Sequence, residues 1–279
     1  MTDRPKSDRP PAAIDPGDPL SMAVGMREGD AVDLVRAAVR DGRLALAYQP
    51  IVQAKRPDRI AFYEGLIRIF DPSGRVIPAR DFIGAVEALP LGREIDTIAL
   101  RLGLQCLADQ PDIRLSINLS ARSIGYPPWM TALRTGLMRH PTVGERLVLE
   151  LTERSAMQLP EIVTTFMSDL AREGISFALD DFGAGHTCLR HLRQFQFDML
   201  KIDAAFIRGI ARDPDNQVVT RAICMIAEQF DMFTVAEAVE REDDARWLTE
   251  NGLDCLQGYY YAAPTLQPPW MQPEDLRRA

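Results

Sequence analysis

Apolar stretches and helical repeats alternate along most of the chain. Strand-like apolar runs fall at 44–52, 60–70, 115–120, 147–153, 175–182, 199–202, 233–239 and 255–260. Apolar residues at helical spacing fall at 30–41, 95–108, 161–173, 216–229 and 243–251. Because strands that alternate with helices form largely parallel sheets, this order predicts an α/β fold, a closed (β/α)₈ TIM-like barrel rather than an open sheet.

The connection between the first two strands is the exception to this rhythm. Only residues 53–59 separate them, and so short a segment cannot make the crossover that parallel neighbours require. We therefore predict a modified barrel in which the first strand is antiparallel to the rest.

The N-terminal segment differs in composition from the rest of the chain. Residues 1–22 are rich in Pro, Asp and Arg and poor in large apolar side chains, which predicts a disordered tail. Residues 23–279 show no internal repeat and no sign of a second domain. We expect them to form a single barrel domain.

Charge and cysteine content exclude several classes of function. A net charge of −8 without a Lys/Arg run argues against a nucleic acid polymer as partner. The spacing of the cysteines and histidines indicates neither a disulfide framework nor a zinc site. No apolar run is long enough to span a membrane, and the N-terminus lacks a signal-peptide pattern, so we expect no membrane partner and a cytoplasmic protein.

Polar residues interrupt strands that should be apolar in a parallel barrel. They are Glu64, Asn118, Glu150, Glu153, Asp180, Asp181, Lys201, Asp203, Glu237, Glu240 and Gln257. A pair such as Asp180 and Asp181 is by itself compatible with an exposed turn. Acids and amides on so many consecutive strands need a common explanation, and the apolar run before Asp180 favours a metal site over a turn.

The chemistry of this set indicates the metal and the reaction. Carboxylate and amide oxygens suit Mg²⁺ or Mn²⁺, and so many acids are an excess for one ion, which favours two divalent ions of the kind that cleave phosphodiesters. Lys201 would then orient or deprotonate the attacking water or stabilise charge on the phosphate, roles that suit a buried lysine with a lowered pKa. The alternative for Lys201 is a structural ion pair with a neighbouring acid.

Eight short motifs occur in a fixed order between residues 44 and 264. They are YQPI at 48–51, EGLIR at 64–68, NLS at 118–120, ELTE at 150–153, DDFGAG at 180–185, KID at 201–203, AEAVE at 236–240 and QGYY at 257–260. In this order the sequence resembles the EAL-domain family, phosphodiesterases of the second messenger cyclic di-GMP. The resemblance implies hydrolysis of cyclic di-GMP to linear pGpG with Mg²⁺ or Mn²⁺, inhibition by Ca²⁺, a homodimer formed through the segment after Gly185, and an unidentified regulatory partner.

The resemblance also implies roles for individual residues. The implied ligands are Glu64, Asn118, Glu150 and Asp180 for one metal, and Asp180, Asp181 and Glu237 for the second. The implied catalytic residues are Lys201, Glu237, Gln257 and Glu153. Lys201 and Gln257 would hold the attacking water, and Glu153 would steady the loop after Asp181. The residues implied on the nucleotide side are Gln49, Leu66, Arg68 and Asp203, with Glu240 as a supporting acid.

Some positions depart from the family pattern. Gly65 replaces the usual Ala and should weaken the strand by roughly 0.5–1 kcal/mol. Ala184 replaces a Thr in the loop predicted to couple dimerisation to metal binding. Ala238 replaces a Gly, and if this position needs a positive φ the change would displace Glu237. His186 is interpreted as an exposed loop residue and Cys188 as a packed small residue.

Two rival functions remain open at this stage. The first is an inactive EAL domain that acts as a cyclic di-GMP receptor or as a protein-interaction module. The second is a sugar or acyl hydrolase on the same barrel, which would explain neither the lysine nor the amides. Because all the implied metal ligands are present, the sequence favours the active phosphodiesterase.

Overall fold

The computed structural model describes residues 19–184 and 192–272, with side chains described from residue 29. Its strands, in chain order, are β1 (Leu44–Gln53), β2 (Arg56–Phe70), β3 (Val76–Pro78), β4 (Leu115–Asn118), β5 (Leu147–Thr152), β6 (Ser176–Phe182), β7 (Met199–Ile202), β8 (Phe233–Ala236) and β9 (Cys255–Leu256). The order in the sheet is β1-β9-β8-β7-β6-β5-β4-β2-β3, and β1 also pairs with β2. Eight strands therefore close into a barrel, while β3 extends the sheet beyond β2.

The reversed first strand is confirmed. β1 pairs antiparallel with both β2 and β9, whereas the neighbouring pairs from β2 through β4 to β9 are parallel. Because the parallel strands share one direction, their C-terminal ends meet at one end of the barrel, where a (β/α)₈ barrel builds its functional sites.

Helices cover the outside of the barrel. They are α1 (Pro19–Arg40), α2 (Ile83–Val86), α3 (Pro90–Asp109), α4 (Pro127–Arg139), α5 (Glu153–Gln158), α6 (Pro160–Ala171), α7 (Ala204–Ile207), α8 (Pro214–Gln229) and α9 (Glu242–Glu250). Proline occupies the first turn of α3, α4, α6 and α8, where its missing N–H costs no hydrogen bond. In the part of the chain described here, no helix has the length and hydropathy to cross a membrane.

The N-terminal helix is longer than its sequence pattern predicted. α1 begins at Pro19, eleven residues before the predicted start at Asp30, so residues 19–22 of the predicted tail are helical. Residues 1–18, the remainder of the predicted tail, lie outside the described residues.

Among the strands that end before their predicted limits, β8 and β9 fall short by the most, three and four residues. β8 ends at Ala236 rather than 239, and β9 ends at Leu256 rather than 260, so Glu237 and Gln257 follow their strands instead of lying within them. Ala238 has a φ of +51°, in the left-handed region, which does not continue a β-strand. The short strands place both polar side chains on the loops at the end of the barrel.

The barrel wall separates two apolar layers. Side chains such as Ile117, Leu149 and Leu179 belong to the main core, which includes residues of the surrounding helices. Ile51, Phe62 and Val235 form a second, smaller cluster. Because successive strand residues point to opposite faces, one layer packs under the helices and the other fills the barrel interior.

Gly65 in β2 fits closely against a side chain of the neighbouring strand. A Cβ added to Gly65 would lie 2.7 Å from Cδ1 of Ile117, and one added to Gly103 in α3 would lie 2.8 Å from the same atom. Ile117 is fully buried, so it has little room to move. Gly65 therefore provides space for Ile117 in addition to loosening the strand.

We predict that Gly65→Ala lowers the free energy of unfolding by about 1 kcal/mol, because the Ile117 side chain must shift within a packed core. Ile117→Val removes the Cδ1 atom. In the Ile117→Val background, Gly65→Ala should therefore lower the free energy of unfolding by less. Urea unfolding of the parent, both single variants and the double variant measures this coupling. Strictly additive effects would contradict the proposed contact.

We also predict that Ala238→Gly raises the free energy of unfolding by about 1 kcal/mol, because glycine adopts a positive φ without the steric cost of a Cβ. The matched control is Ala236→Gly in β8, where the buried strand position should lose stability instead. A lower melting temperature for Ala238→Gly would show that the backbone at this position is not strained.

Candidate functional site

Lys201 lies at the centre of the polar groups in the barrel. Its side chain comes from β7 and is only 1% exposed. The Nζ atom lies 2.7 Å from Glu237 Oε1, 2.8 Å from Glu150 Oε2, 3.0 Å from Asp180 Oδ1 and 3.4 Å from Glu64 Oε2. Carboxylates from β2, β5, β6 and the loop after β8 therefore share one ammonium group.

Amide side chains extend this cluster around Glu64. Nε2 of Gln257 donates to Oε2 of Glu64 at 2.6 Å and approaches Oε1 of Gln49 at 3.2 Å. Nδ2 of Asn118 donates to Oε1 of Glu64 at 3.1 Å, and Nε2 of Gln49 donates to the backbone oxygen of Ala262 at 3.0 Å. These hydrogen bonds fix the orientation of the Glu64 carboxylate.

A second group of acids lies at one side of the same cluster. Asp180, Asp181 and Glu237 each place a carboxylate oxygen within 4.8 Å of the others. Asp181 has a φ of +55°, a conformation that an aspartate tolerates better than most residues. The Asp pair near the end of β6 therefore lies beside Glu237.

The prediction of a lowered pKa for Lys201 is wrong. Burial by itself lowers the pKa of a lysine, but the four surrounding carboxylates outweigh it and raise the pKa of Lys201 well above its usual value. The ammonium therefore keeps its proton at neutral pH. The alternative interpretation, a buried ion pair, holds for this state of the site, with four acids in place of one.

Crowding also raises the pKa values of the acids, which makes their charged forms less favourable. Burial and the neighbouring acids Glu64 and Asp180 raise the pKa of Glu150 to about 8, although Lys201 opposes this shift. Burial also raises the pKa of Glu237, and burial with the adjacent Asp180 raises the pKa of Asp181 to about 6. One ammonium group is thus too little positive charge for the acids that surround it.

The donor set fits divalent cations. Five ionised carboxylates and one ammonium would leave four negative charges, which two divalent ions would balance. Oε1 of Glu150 and Oε1 of Gln257 are buried without a hydrogen-bond partner among the described residues. Hard oxygen ligands of this kind are those that Mg²⁺ and Mn²⁺ prefer.

Glu153 lies apart from the lysine and contacts the loop after the Asp pair. Its Oε2 atom accepts a hydrogen bond from the backbone N–H of Gly183 at 3.3 Å. Ala184 follows in the same turn, and its N–H donates to the backbone oxygen of Asp181 at 3.1 Å. The predicted features of His186, Cys188 and the dimerisation segment begin in residues 185–191, outside the described residues.

The predicted nucleotide-side residues separate into two groups. Gln49, Leu66 and Glu240 line one cleft above the cluster together with Tyr259 and Arg208. Glu240 lies 3.4 Å from Arg208 in a solvent-exposed ion pair rather than among the buried acids.

The other two predicted residues make local contacts. Arg68, which is half-buried, donates to the backbone oxygen of Ile67 at 3.0 Å. Asp203 caps α7 by accepting from the N–H of Ala205 at 2.8 Å. Neither of them contacts the buried carboxylates.

Asp96 is a supporting residue that the sequence patterns missed. Its Oδ2 atom accepts from the Ser123 hydroxyl at 2.6 Å and from the Ser120 N–H at 3.1 Å, which anchors the loop after Asn118 to α3. Burial raises the pKa of Asp96 to about 6 despite these bonds. A single acid on the inner side of an amphipathic helix was the only signal that could have identified it.

Similarity to known proteins agrees with this geometry. A model of the EAL domain matches residues 32–264. The probable cyclic di-GMP phosphodiesterase PdeN of Escherichia coli (strain K12) is 31% identical over 87% of this chain and 47% of its own length. The cyclic di-GMP phosphodiesterase PdeR of the same strain is 30% identical over 82% of this chain and 35% of its own length. The chain thus spans less than half of these curated relatives.

Solved structures show the same fold with ligand bound. The complex of the PaMucR phosphodiesterase with c-di-GMP is 29% identical, with a TM-score of 0.73 over 85% of this chain and 97% of that one. The EAL enzyme Bd1971 with cAMP and cyclic di-GMP bound is 26% identical, with a TM-score of 0.78 over 92% of this chain and 72% of that one. On the match that covers residues 32–264, the chain belongs to the EAL-domain family.

Proposed function

We propose that this protein hydrolyses cyclic di-GMP to linear pGpG with two divalent ions, Mg²⁺ or Mn²⁺. The observation that carries the proposal is the cluster of four carboxylates within 3.4 Å of the Lys201 ammonium, at the end of the barrel where sites of this fold lie. Relatives named cyclic di-GMP phosphodiesterases support the substrate.

The proposed ligands are the residues that the cluster brings together. Glu64, Asn118, Glu150 and Asp180 would hold one ion, and Asp180, Asp181 and Glu237 the other. When bound, the two ions would acidify the attacking water and neutralise charge on the phosphodiester.

The protein's own groups have distinct tasks in this proposal. Lys201, placed among the four carboxylates, would supply positive charge and a hydrogen bond to the reacting phosphate or water. The buried Oε1 atom of Gln257, whose amide nitrogen is held by Glu64, can accept a hydrogen bond from the attacking water. Glu153 would keep the loop after Asp181 in place.

The cleft above the cluster would receive the nucleotide. Leu66 offers an apolar contact and Tyr259, 62% exposed, offers an aromatic face for a guanine base. Gln49 lies between this cleft and the cluster, Glu240 borders the cleft, and Asp203 holds α7 beside it. Arg68 would contact a phosphate or a guanine after releasing its backbone contact.

A receptor that binds cyclic di-GMP without cleaving it remains the alternative. The complete set of acids, lysine and amides favours hydrolysis, because a receptor has no need for so many buried charges. A homodimer through the segment after Gly185, a regulatory partner and a cytoplasmic location stay predictions.

We predict that the purified protein converts cyclic di-GMP to pGpG in Mg²⁺ or Mn²⁺ and not in Ca²⁺, because Ca²⁺ prefers longer bonds and higher coordination. Chromatographic separation of the nucleotides measures the product. Calorimetric binding of cyclic di-GMP in Ca²⁺ is the control for an intact site. Binding without turnover in any of the three ions would favour the receptor.

We predict that Lys201→Met lowers turnover at least 100-fold. In EDTA it should also lower the free energy of unfolding by roughly 3–5 kcal/mol, because the buried acids lose their counter-charge. Mg²⁺ should raise the melting temperature of the variant more than that of the parent, because Mg²⁺ and the Lys201 ammonium balance the same acids. Arg101→Met, on an exposed helix position, is the control.

Two results would contradict this account of Lys201. One is a variant that hydrolyses cyclic di-GMP at the parent rate. The other is a variant with parental stability in EDTA, which would mean that the ammonium does not balance the acids.

A further inference from the structure

A cavity of about 570 Å³ opens at the end of the barrel opposite the cluster. Its inner wall includes Phe62, Val148, Met199, Val235 and Cys255. The volume lies in the range of pockets that hold small molecules, which are mostly apolar with a few polar groups. None of these residues takes part in the proposed hydrolysis.

The cavity lies directly beneath the residues of the cluster. Each wall residue precedes a cluster residue by two positions on the same strand or its extension, in the pairs Phe62 and Glu64, Val148 and Glu150, Met199 and Lys201, Val235 and Glu237, and Cys255 and Gln257. Residues two apart share one face of a strand and are about 6–7 Å apart along it. The side chains of the wall residues therefore form the one layer between the cavity and the cluster around Lys201.

The rim of this cavity is positively charged. Lys55, Arg56 and Arg114 line it, are exposed, and form no salt bridge with a described residue. The acid at the rim, Asp254, is engaged by the N–H and hydroxyl of Thr234, both at 2.8 Å. Unpaired cations grouped around one opening contrast with the net charge of −8.

Apolar side chains remain uncovered at the same opening. Ile60 is 44% exposed and Phe233 is 61% exposed, and both line the cavity. Large apolar groups left open around a concave site are typical of a binding surface. The cavity thus combines an apolar interior with an apolar and cationic mouth.

We propose that this cavity binds a small amphiphilic anion, of the class of medium-chain fatty carboxylates. The hydrocarbon chain lies against Met199, Cys255 and Phe233, and the carboxylate lies at the rim near Arg56 and Arg114. A compact polar anion lacks the apolar part, and a neutral amphiphile lacks the charge that the rim complements. An occupant packs on the underside of the strands that carry the cluster.

The test uses the complete chain and the fluorescent probe 11-(dansylamino)undecanoic acid, with decanoate, decanol and inorganic phosphate as competitors. The proposal predicts saturable binding at one site per chain. It also predicts displacement by decanoate, displacement by decanol that needs at least tenfold more competitor, and no displacement by phosphate. The binding assay is run in EDTA without nucleotide, so its outcome is independent of whether the protein hydrolyses cyclic di-GMP.

Charge-reversal variants locate the bound probe. Arg56→Glu combined with Arg114→Glu should weaken binding about tenfold, which corresponds to about 1.4 kcal/mol. Arg101→Glu removes an exposed cation on the outer face of α3 and should leave binding unchanged. Circular dichroism and the melting temperature confirm that each variant is folded, since the substituted side chains are all exposed.

Several results would overturn the proposal. They are the absence of saturable binding, equal competition by decanol and decanoate, and equal weakening by the rim variant and Arg101→Glu. A dimer that depends on Arg56 and Arg114, without probe binding, would assign the opening to a protein contact instead.

Discussion

The structure of this site depends on the contact between one buried ammonium and the carboxylates around it. Among the described residues, Lys201 is the one cation at salt-bridge distance from Glu64, Glu150, Asp180 and Glu237, within 3.4 Å of each. Like charges this close would repel one another or bind protons if the lysine were absent. The lysine therefore allows a group of acids from separate strands to be held inside the barrel.

The same contact explains why the site is suited to metal ions. The raised pKa of Glu150, about 8, means that this acid holds a proton near neutral pH rather than remaining charged beside its neighbours. Metal cations that replace this proton, and that balance the carboxylates together with Lys201, would remove the remaining repulsion between these carboxylates. The closure of the barrel and the short strands β8 and β9 serve to bring these groups to one end.

The sequence predicted those features that depend on local patterns. The short connection at 53–59 indicated the reversed β1, and polar residues in apolar strands indicated that Glu64, Glu150 and Lys201 would meet. The direction of the Lys201 pKa shift was mispredicted, because it depends on how many acids surround the ammonium in space. Asp96 and the cavity at the other end were missed because residues far apart in the chain form them.

The most direct test of the account is the number of protons released when Mg²⁺ or Mn²⁺ binds, measured by calorimetry in buffers of different ionisation enthalpy. The account predicts that two ions bind at pH 7 with release of protons, because Glu150 and Glu237 have raised pKa values without metal. The release should decline as the pH rises above about 8, where Glu150 is already ionised. Binding of the ions at pH 7 without proton release would contradict the account.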